Sequence, residues 1–409
     1  MTPVETGYRT VFSGMAVIAP NGSTTEKFWQ ATVDGVTGIR PLTFFDAAGY
    51  PVRVAGEVPD FVASDLLEGR IIAQTDRWTQ FGLVAAGRAI GDAGLVLSDV
   101  DSYEISVVTA AASGGNEFGQ REIQKLWHQG PRHLSPYQSI AWFYAAATGQ
   151  ISIGGGMKGA CGVLVAEQAG GLSVLAQARR TLREDARMVI TGGTEAPLGP
   201  YAITCQASSG LLSDCDEAAR AYLPFDADAS GYVPGEGGAM FVVERDSYSR
   251  RLPRGRAYGQ LAGYADTFDP RPGSGREPGL RRAITQALDD ARIGPQDVDV
   301  VFADGLAIPS ADRQEAAAIN AVFAPRAVPV TAPQCLVGRL HAGGAPLQVA
   351  MALLAIRDQL IPGTVSLSVR APGCQLDIVR ETREAPVRTA LVLARGYGGF
   401  NAAAVISAL

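Results

Sequence analysis

Histidine is scarce in this chain: three in 409 residues, His128, His133 and His341. Few side chains can therefore serve as general bases near neutral pH or as imidazole ligands to a metal. Cysteine is sparse too. Cys161, Cys205, Cys215, Cys335 and Cys374 are odd in number and form no Cys-x-x-Cys pair, so neither a disulfide framework nor a zinc site fits. Long apolar runs are missing; the cleanest reach about eight residues, as in Val349–Ile356, against the ~18 needed to span a bilayer. A basic excess is missing as well. Net charge is −6 and the pI about 5.3, which leaves nothing to neutralise phosphates and argues against a nucleic-acid partner. The one basic cluster, Arg250, Arg251, Arg254 and Arg256, reads as a solvated connector. The N-terminus lacks a basic segment followed by an apolar one. The chain is expected to be soluble and cytoplasmic, with no membrane association, metal or cofactor.

What is present is a globular composition, 47% hydrophobic and 19% charged. A chain this long exceeds one ordinary core, so two halves are expected. Short apolar, β-branched runs (Ile105–Thr109, Val163–Ala166, Arg187–Thr191, Ala239–Glu244, Val298–Ala303, Ala390–Ala394) alternate with Ala-rich stretches of helical period (Gly171–Leu182, Leu280–Ala291, Pro346–Gln359). That alternation predicts an α/β architecture with buried central strands. An internal repeat supports duplication. RAIGDAGLVLSDVD (88–101) returns as QALDDARIGPQDVD (286–299), an ungapped offset of 198 that repeats Asp92, Ala93, Asp99, Val100 and Asp101. The halves are placed at 1–250 and 251–409, joined near the Arg250–Arg256 connector.

The segment ISIGGGMKGACGVLVAEQAGGLSV (151–174) predicts a strand, a tight Gly-flanked turn and a helix. Such an elbow presents one side chain at a helix N-terminus and is a common mount for a nucleophile. Here the residue is Gln168, and a primary amide is no nucleophile near neutral pH. Cys161 precedes the strand and reads as a buried small apolar residue. The acids of PFDADASGYVPGEGG, Asp226, Asp228 and Glu236, do not have EF-hand spacing and read as a turn network.

The motifs MKGACGVLVAEQAGGL, ITGGTEAP, PFDADASGYVPGEGGAMFVVE, LVGRLHAGGAPLQ and GYGGFNAA resemble the ketosynthase family of the thiolase fold. EFGQREIQKLWHQGP with SIAWFYAAATGQISI resembles, more closely, the chain length factor of type II polyketide synthases. The resemblance runs from about residue 8 to 408. It implies a duplicated five-layer α-β-α-β-α fold, a catalytic Cys at the elbow and two His from the second half. This sequence has Gln168, Asp304 and Arg339 at those positions, and Gln334 at the family's lysine. His341 misses the catalytic slot by two residues and reads as structural or surface. Decarboxylative condensation needs a thiolate to carry the acyl chain and neutral or cationic donors for the enolate, which Asp304 would repel. Asp304 and Arg339 are expected to pair across the site.

The resemblance further implies a heterodimer with a catalytic ketosynthase, paired through the strand at Val163–Ala166, and an acyl carrier protein delivering malonyl units to that partner. It places tunnel-length residues at Asn116, Gly119 and Ile123, spaced i, i+3 and i+7 on one helix face, with Tyr201 on the tunnel floor. Tyr397 matches a mobile aromatic gate and reads here as scaffold. The product is an aromatic or polyene polyketide. The rival reading is a stand-alone malonyl-carrier-protein decarboxylase or β-ketoacyl synthase. Relatives that decarboxylate malonyl with Gln in place of Cys keep both histidines, and this chain keeps neither. A third reading is a homodimeric structural paralogue.

Overall fold

The computed structural model describes residues 8–184, 186–249, 257–271 and 273–409. The connector at 250–256, where the sequence places the join between halves, lies outside the described residues. Eleven strands form one large sheet: β1 (Thr10–Ile18), β2 (Ile105–Ala110), β3 (Cys161–Leu164), β4 (Met188–Glu195), β5 (Gly237–Arg245), β6 (Gly259–Phe268), β7 (Val300–Phe302), β8 (Pro329–Thr331), β9 (Asp377–Ile378), β10 (Thr389–Gly396) and β11 (Phe400–Ser407). Seven helices position the site: α1 (Arg77–Asp92), α2 (Asn116–Gln129), α3 (Glu167–Arg183), α4 (Pro200–Ala207), α5 (Leu280–Ala291), α6 (Pro309–Phe323) and α7 (Gly344–Asp358).

Two five-strand runs spread outward from the contact of β1 with β6. The first is β1-β5-β4-β2-β3 and the second β6-β11-β10-β7-β8, with β9 beyond β8. In each run the first two pairings are antiparallel and the next two parallel. The repeat seen in the sequence explains how each run holds its outer helix. The Asp92 carboxylate accepts from the Met15 N–H at 2.9 Å, and Asp290 accepts from the Tyr264 N–H at 2.8 Å. Gly14 and Gly263 sit where the same two helices press on the sheet. A Cβ on either would stand 2.2 Å from the carbonyl oxygen of Ala89 or Ala287.

Helix α1 packs on β1, β5 and β4, and α5 packs on β6 and β11. Helix α5 is one-sided, burying Leu280, Ala283, Ile284, Ala287 and Leu288. Helices α3 and α7 lie between the two runs and touch strands of both. Helix α7 is buried all round from Gly344 to Ile356, as an internal helix must be. The layers are therefore helix, sheet, helix, sheet, helix. The two central helices meet closely at Gly171, where a Cβ would lie 2.4 Å from Pro346 Cδ. An alanine there would force them apart at a cost of about 1–3 kcal/mol.

Two expectations are corrected here. The strand placed at Val163–Ala166 runs Cys161–Leu164, and it is the edge of its run rather than an internal strand of this chain. Cys161 is consequently exposed, not buried, because nothing among the described residues covers the far side of that edge.

Candidate functional site

Helix α3 starts abruptly after β3. Ala166 caps it without a side-chain bond, and Glu167 takes a left-handed conformation with φ +49°. A non-glycine residue held so costs about 1–2 kcal/mol. That turn delivers Glu167 and Gln168 to one place at the head of the helix. The C-terminal end of β7 brings Asp304, the loop before α7 brings Arg339, and the end of β10 brings Arg395.

The expected Asp304–Arg339 pair forms, with Arg339 Nη1 3.3 Å from Asp304 Oδ2. Both side chains are buried. Gln168 Nε2 donates to Asp304 Oδ1 at 2.7 Å, so the three residues standing in for the reaction groups converge. The Gln168 side-chain oxygen is buried and has no hydrogen-bond partner among the described residues. Glu167 completes the cluster. Arg339 Nε and Nη2 donate to its two oxygens at 3.1 and 2.9 Å, and Nη2 also reaches the Arg395 carbonyl at 2.6 Å. Every nitrogen of the guanidinium thus has an acceptor within the protein. Backbone donors are taken as well: the Arg395 N–H by Asp304 at 3.1 Å and the Tyr397 N–H by Glu167 at 3.0 Å.

Gln334 behaves differently. It lies behind the cluster, giving Nε2 to the carbonyls of Ala303, at 3.1 Å, and Asp304 and accepting from Gln348 at 3.3 Å. It supports the end of β7 and does not face the other three side chains. His341 takes the structural one of its two expected roles. It is neither remote nor on the surface but enters the cluster, with Nδ1 3.0 Å from Glu167 Oε1 and Nε2 2.9 Å from Gln206 Oε1.

The electrostatics follow from burial and pairing. Burial opposes the charge on Glu167, yet Arg339 and His341 outweigh it and hold the carboxyl well below the usual range. Burial likewise works against Arg339, and Asp304 with Glu167 push its pKa well up. Behind them Glu315 accepts from the N–H groups of Asp304 and Gly305 at 2.7 and 2.9 Å. Burial and then the Asp304 charge push its carboxyl up to about 8. Asp312 accepts from Phe225 and Ala307 N–H at 2.7 and 3.1 Å, pinning two residues with φ of 60° and 57°. Burial raises it to about 7.

A pocket of about 480 Å³ opens in front of this cluster, walled by Cys205, Tyr232, Tyr397 and Phe400 with Arg339, Glu167 and His341 at its base. Chemically its base is spent. An anionic intermediate would meet two carboxylates, and the donors that could stabilise it already serve Glu167 and Asp304. The acids Asp226, Asp228 and Glu236 form the expected turn network and are equally engaged. Asp226 accepts backbone N–H from Asp228, Ser368 and Val369, Asp228 pairs with Arg220, and Glu236 pairs with Arg77.

A second depression, of about 610 Å³, lies beside β3. Asn116 and Tyr201 line it together with Trp142, Tyr144, Val163 and Val165. Gly119 and Ile123 do not. The depression opens at the first turn of α2, so later positions point past it. Gly119 is buried against Trp142, where a Cβ would stand 3.0 Å from Cδ1, and Ile123 is 50% exposed. Glu167, Gln206 and Trp142 are residues of these two sites that the sequence does not single out. Only Glu167 carried a signal, a charge placed next to the elbow glutamine.

The family comparisons match this frame. The β-ketoacyl synthase N-terminal domain matches residues 9–249, and the β-ketoacyl synthase C-terminal domain matches residues 258–368. The tetracenomycin polyketide synthase ketoacyl synthase β subunit of Streptomyces glaucescens is 54% identical over 398 residues, covering 97% of each chain. Among solved structures, the ishigamide ketosynthase/chain length factor has the same fold, with a TM-score of 0.90 at 24% identity, covering 98% of this chain and 99% of that one. A type II polyketide synthase acyl carrier protein in complex with its ketosynthase bound to the hexaketide gives 0.86 at 25% identity, with the same coverage. The chain belongs to the β-ketoacyl synthase family, in its branch of polyketide synthase β subunits.

Proposed function

We propose that this chain is a chain length factor: it performs no condensation itself, pairs with a catalytic ketosynthase, and shapes the cavity in which a polyketide grows on acyl carrier protein. One observation carries this reading. A complete condensing-enzyme frame holds, where the reaction would occur, a buried ion cluster of Glu167, Gln168, Asp304 and Arg339 whose donors serve each other. A decarboxylase acting alone would need those donors free. The degenerate positions are thus Gln168, Asp304 and Arg339, with Gln334 as a backbone support behind them. The chain divides in this reading into ketosynthase-like halves, 1–250 and 251–409.

The partner surface is supported by the open edge of β3 and the apolar side chains around it. Ile153 and Val165 are 76% and 52% exposed there, with Trp142, Phe143 and Tyr144 alongside. An unpaired strand edge flanked by exposed apolar groups is a template for another chain. Among the described residues no helix is long and apolar enough to cross a membrane. A cytoplasmic complex is part of the proposal and rests on the sequence reading.

Reconstitution tests the reading. The chain should co-purify with a Cys-His-His ketosynthase, and the pair should extend malonyl-loaded carrier protein. Offered the same substrate alone, the chain should release no CO2 and acquire no acyl group. Turnover or acylation of the chain alone would overturn the proposal.

A further inference from the structure

We propose that His341, held as an imidazolium between Glu167 and Gln206, is the positioning residue that ties the degenerate centre to the Tyr201 wall of the chain-length cavity. The inference rests on the tunnel reading above. The ring protonation follows from hydrogen-bond bookkeeping. A neutral imidazole offers one donor and one acceptor, and the cation two donors. Nδ1 lies 3.0 Å from a Glu167 oxygen, which can only accept. Nε2 lies 2.9 Å from Gln206 Oε1. The Gln206 amide orientation is assigned by its own donor, since Nε2 gives to the carbonyls of Pro197 at 2.8 Å and Ala202 at 3.4 Å. Oε1 therefore faces the ring, and only the cation satisfies both contacts.

The charged and titratable groups around the ring agree with this. Glu167 approaches from α3, and Arg339 lies beyond it in the ring's own loop. Tyr232 presents its ring at right angles, centroids 6.2 Å apart. Glu195, buried at the end of β4, is a second carboxyl within electrostatic reach. It accepts from the N–H groups of Ala112 and Ser113, which line the same cavity.

Helix α4 needs the anchor. It has eight residues and buries only Ala202 and Ile203. Gln206 pins its C-terminal end through His341. At its N-terminal end the Tyr201 N–H donates to Gln120 Oε1 of α2 at 2.9 Å. The cavity wall is thus fixed from the degenerate centre on one side and from α2 on the other.

The test uses the reconstituted heterodimer. Subtracting the imidazole ¹⁵N spectrum of His341→Leu from that of the wild type should reveal two protonated ring nitrogens near neutral pH. His341→Leu and Gln206→Leu should each change the ratio of shorter to full-length product about fivefold, the equivalent of one lost hydrogen bond. Gln206→Glu, which keeps an acceptor for the ring, should restore the wild-type ratio. A difference spectrum with one protonated nitrogen would overturn the proposal. So would an unchanged ratio in both Leu variants while Tyr201→Ala shifts it. If Tyr201→Ala and Gly119→Trp both leave product length unchanged, the tunnel reading itself fails. Should the Leu variants assemble poorly, the wild-type ring resonances decide: two protonated nitrogens uphold the proposal and one overturns it.

Discussion

Arg339 is the residue on which the degenerate centre turns. It neutralises two carboxylates, Glu167 and Asp304, in a site with little solvent. Deleting one partner of a buried ion pair costs about 3–5 kcal/mol because the remaining charge stays behind. Arg339→Met should therefore destabilise the chain by roughly that amount in denaturant melts of the heterodimer. Adding Asp304→Asn and Glu167→Gln to it should recover most of the loss, because neither carboxylate is then left buried without its guanidinium. A triple variant as unstable as the single one would show that packing, not charge, holds the site. This residue scale was partly legible in the sequence. Asp304 and Arg339 could be paired because both replace groups that meet at one point. Glu167 could not be placed, since its reach depends on a left-handed backbone at a non-glycine position. For His341 the sequence left a structural and a surface role open; the two-residue offset along a 3₁₀ turn leaves its ring within reach of Glu167.

At the scale of elements, one buried carboxylate governs where α2 begins. Asp76 caps α1 through the Trp78 N–H at 3.2 Å and accepts from the Phe118 N–H of α2 at 2.8 Å. Burial, its largest influence, raises its carboxyl to about 7. Asp312 is raised likewise, to about 7. From about pH 4 up to about 7 these two carboxyls hold protons in the folded chain that the unfolded chain has lost, so their contribution to stability declines across that window. The heterodimer should melt at lower temperature near pH 7.5 than near pH 5.5, and Asp76→Asn with Asp312→Asn should flatten the slope. Glu167, with its lowered pKa, acts oppositely and loses its contribution only as pH falls below the ordinary carboxylate range. The same helix carries a steric prediction. Gly119→Trp must push Trp142 toward the cavity, given a Cβ already 3.0 Å from it. The product should shorten while the pair still assembles, as read by mass spectrometry of the released chains; unchanged length would show that Trp142 does not carry the change at Gly119 into the cavity. Sequence spacing predicted a shared face for Asn116, Gly119 and Ile123, and the helix is there. It could not say that the depression stops at the first turn, because that limit is set by Trp142 and Tyr144 from a separate segment.

On the scale of the whole molecule, the two runs of strands are alike in order and direction but unlike at their ends. The second run is closed by β9 outside β8, whereas the first ends on the four bare residues of β3. A duplicated fold with one edge left open has a place for a partner strand. The alternation of strands and helices and the 198-residue repeat made the duplication legible; the pairing strand came only from the family resemblance, because periodicity does not mark which edge stays uncovered. Cys161 reports on it directly. It is exposed in the isolated chain, while Cys335 and Cys374 are buried. In the heterodimer Cys161 should resist maleimide labelling, because the partner covers β3. Ile153→Asp with Val165→Asp places charge in that apolar border, and a charge buried without a partner opposes association. Cys161 should then label readily, while Cys335 and Cys374 stay unreactive and so show that the fold survives. Equal labelling of Cys161 with and without the two aspartates would move the partner interface away from this edge, and with it the wall that the partner is expected to complete.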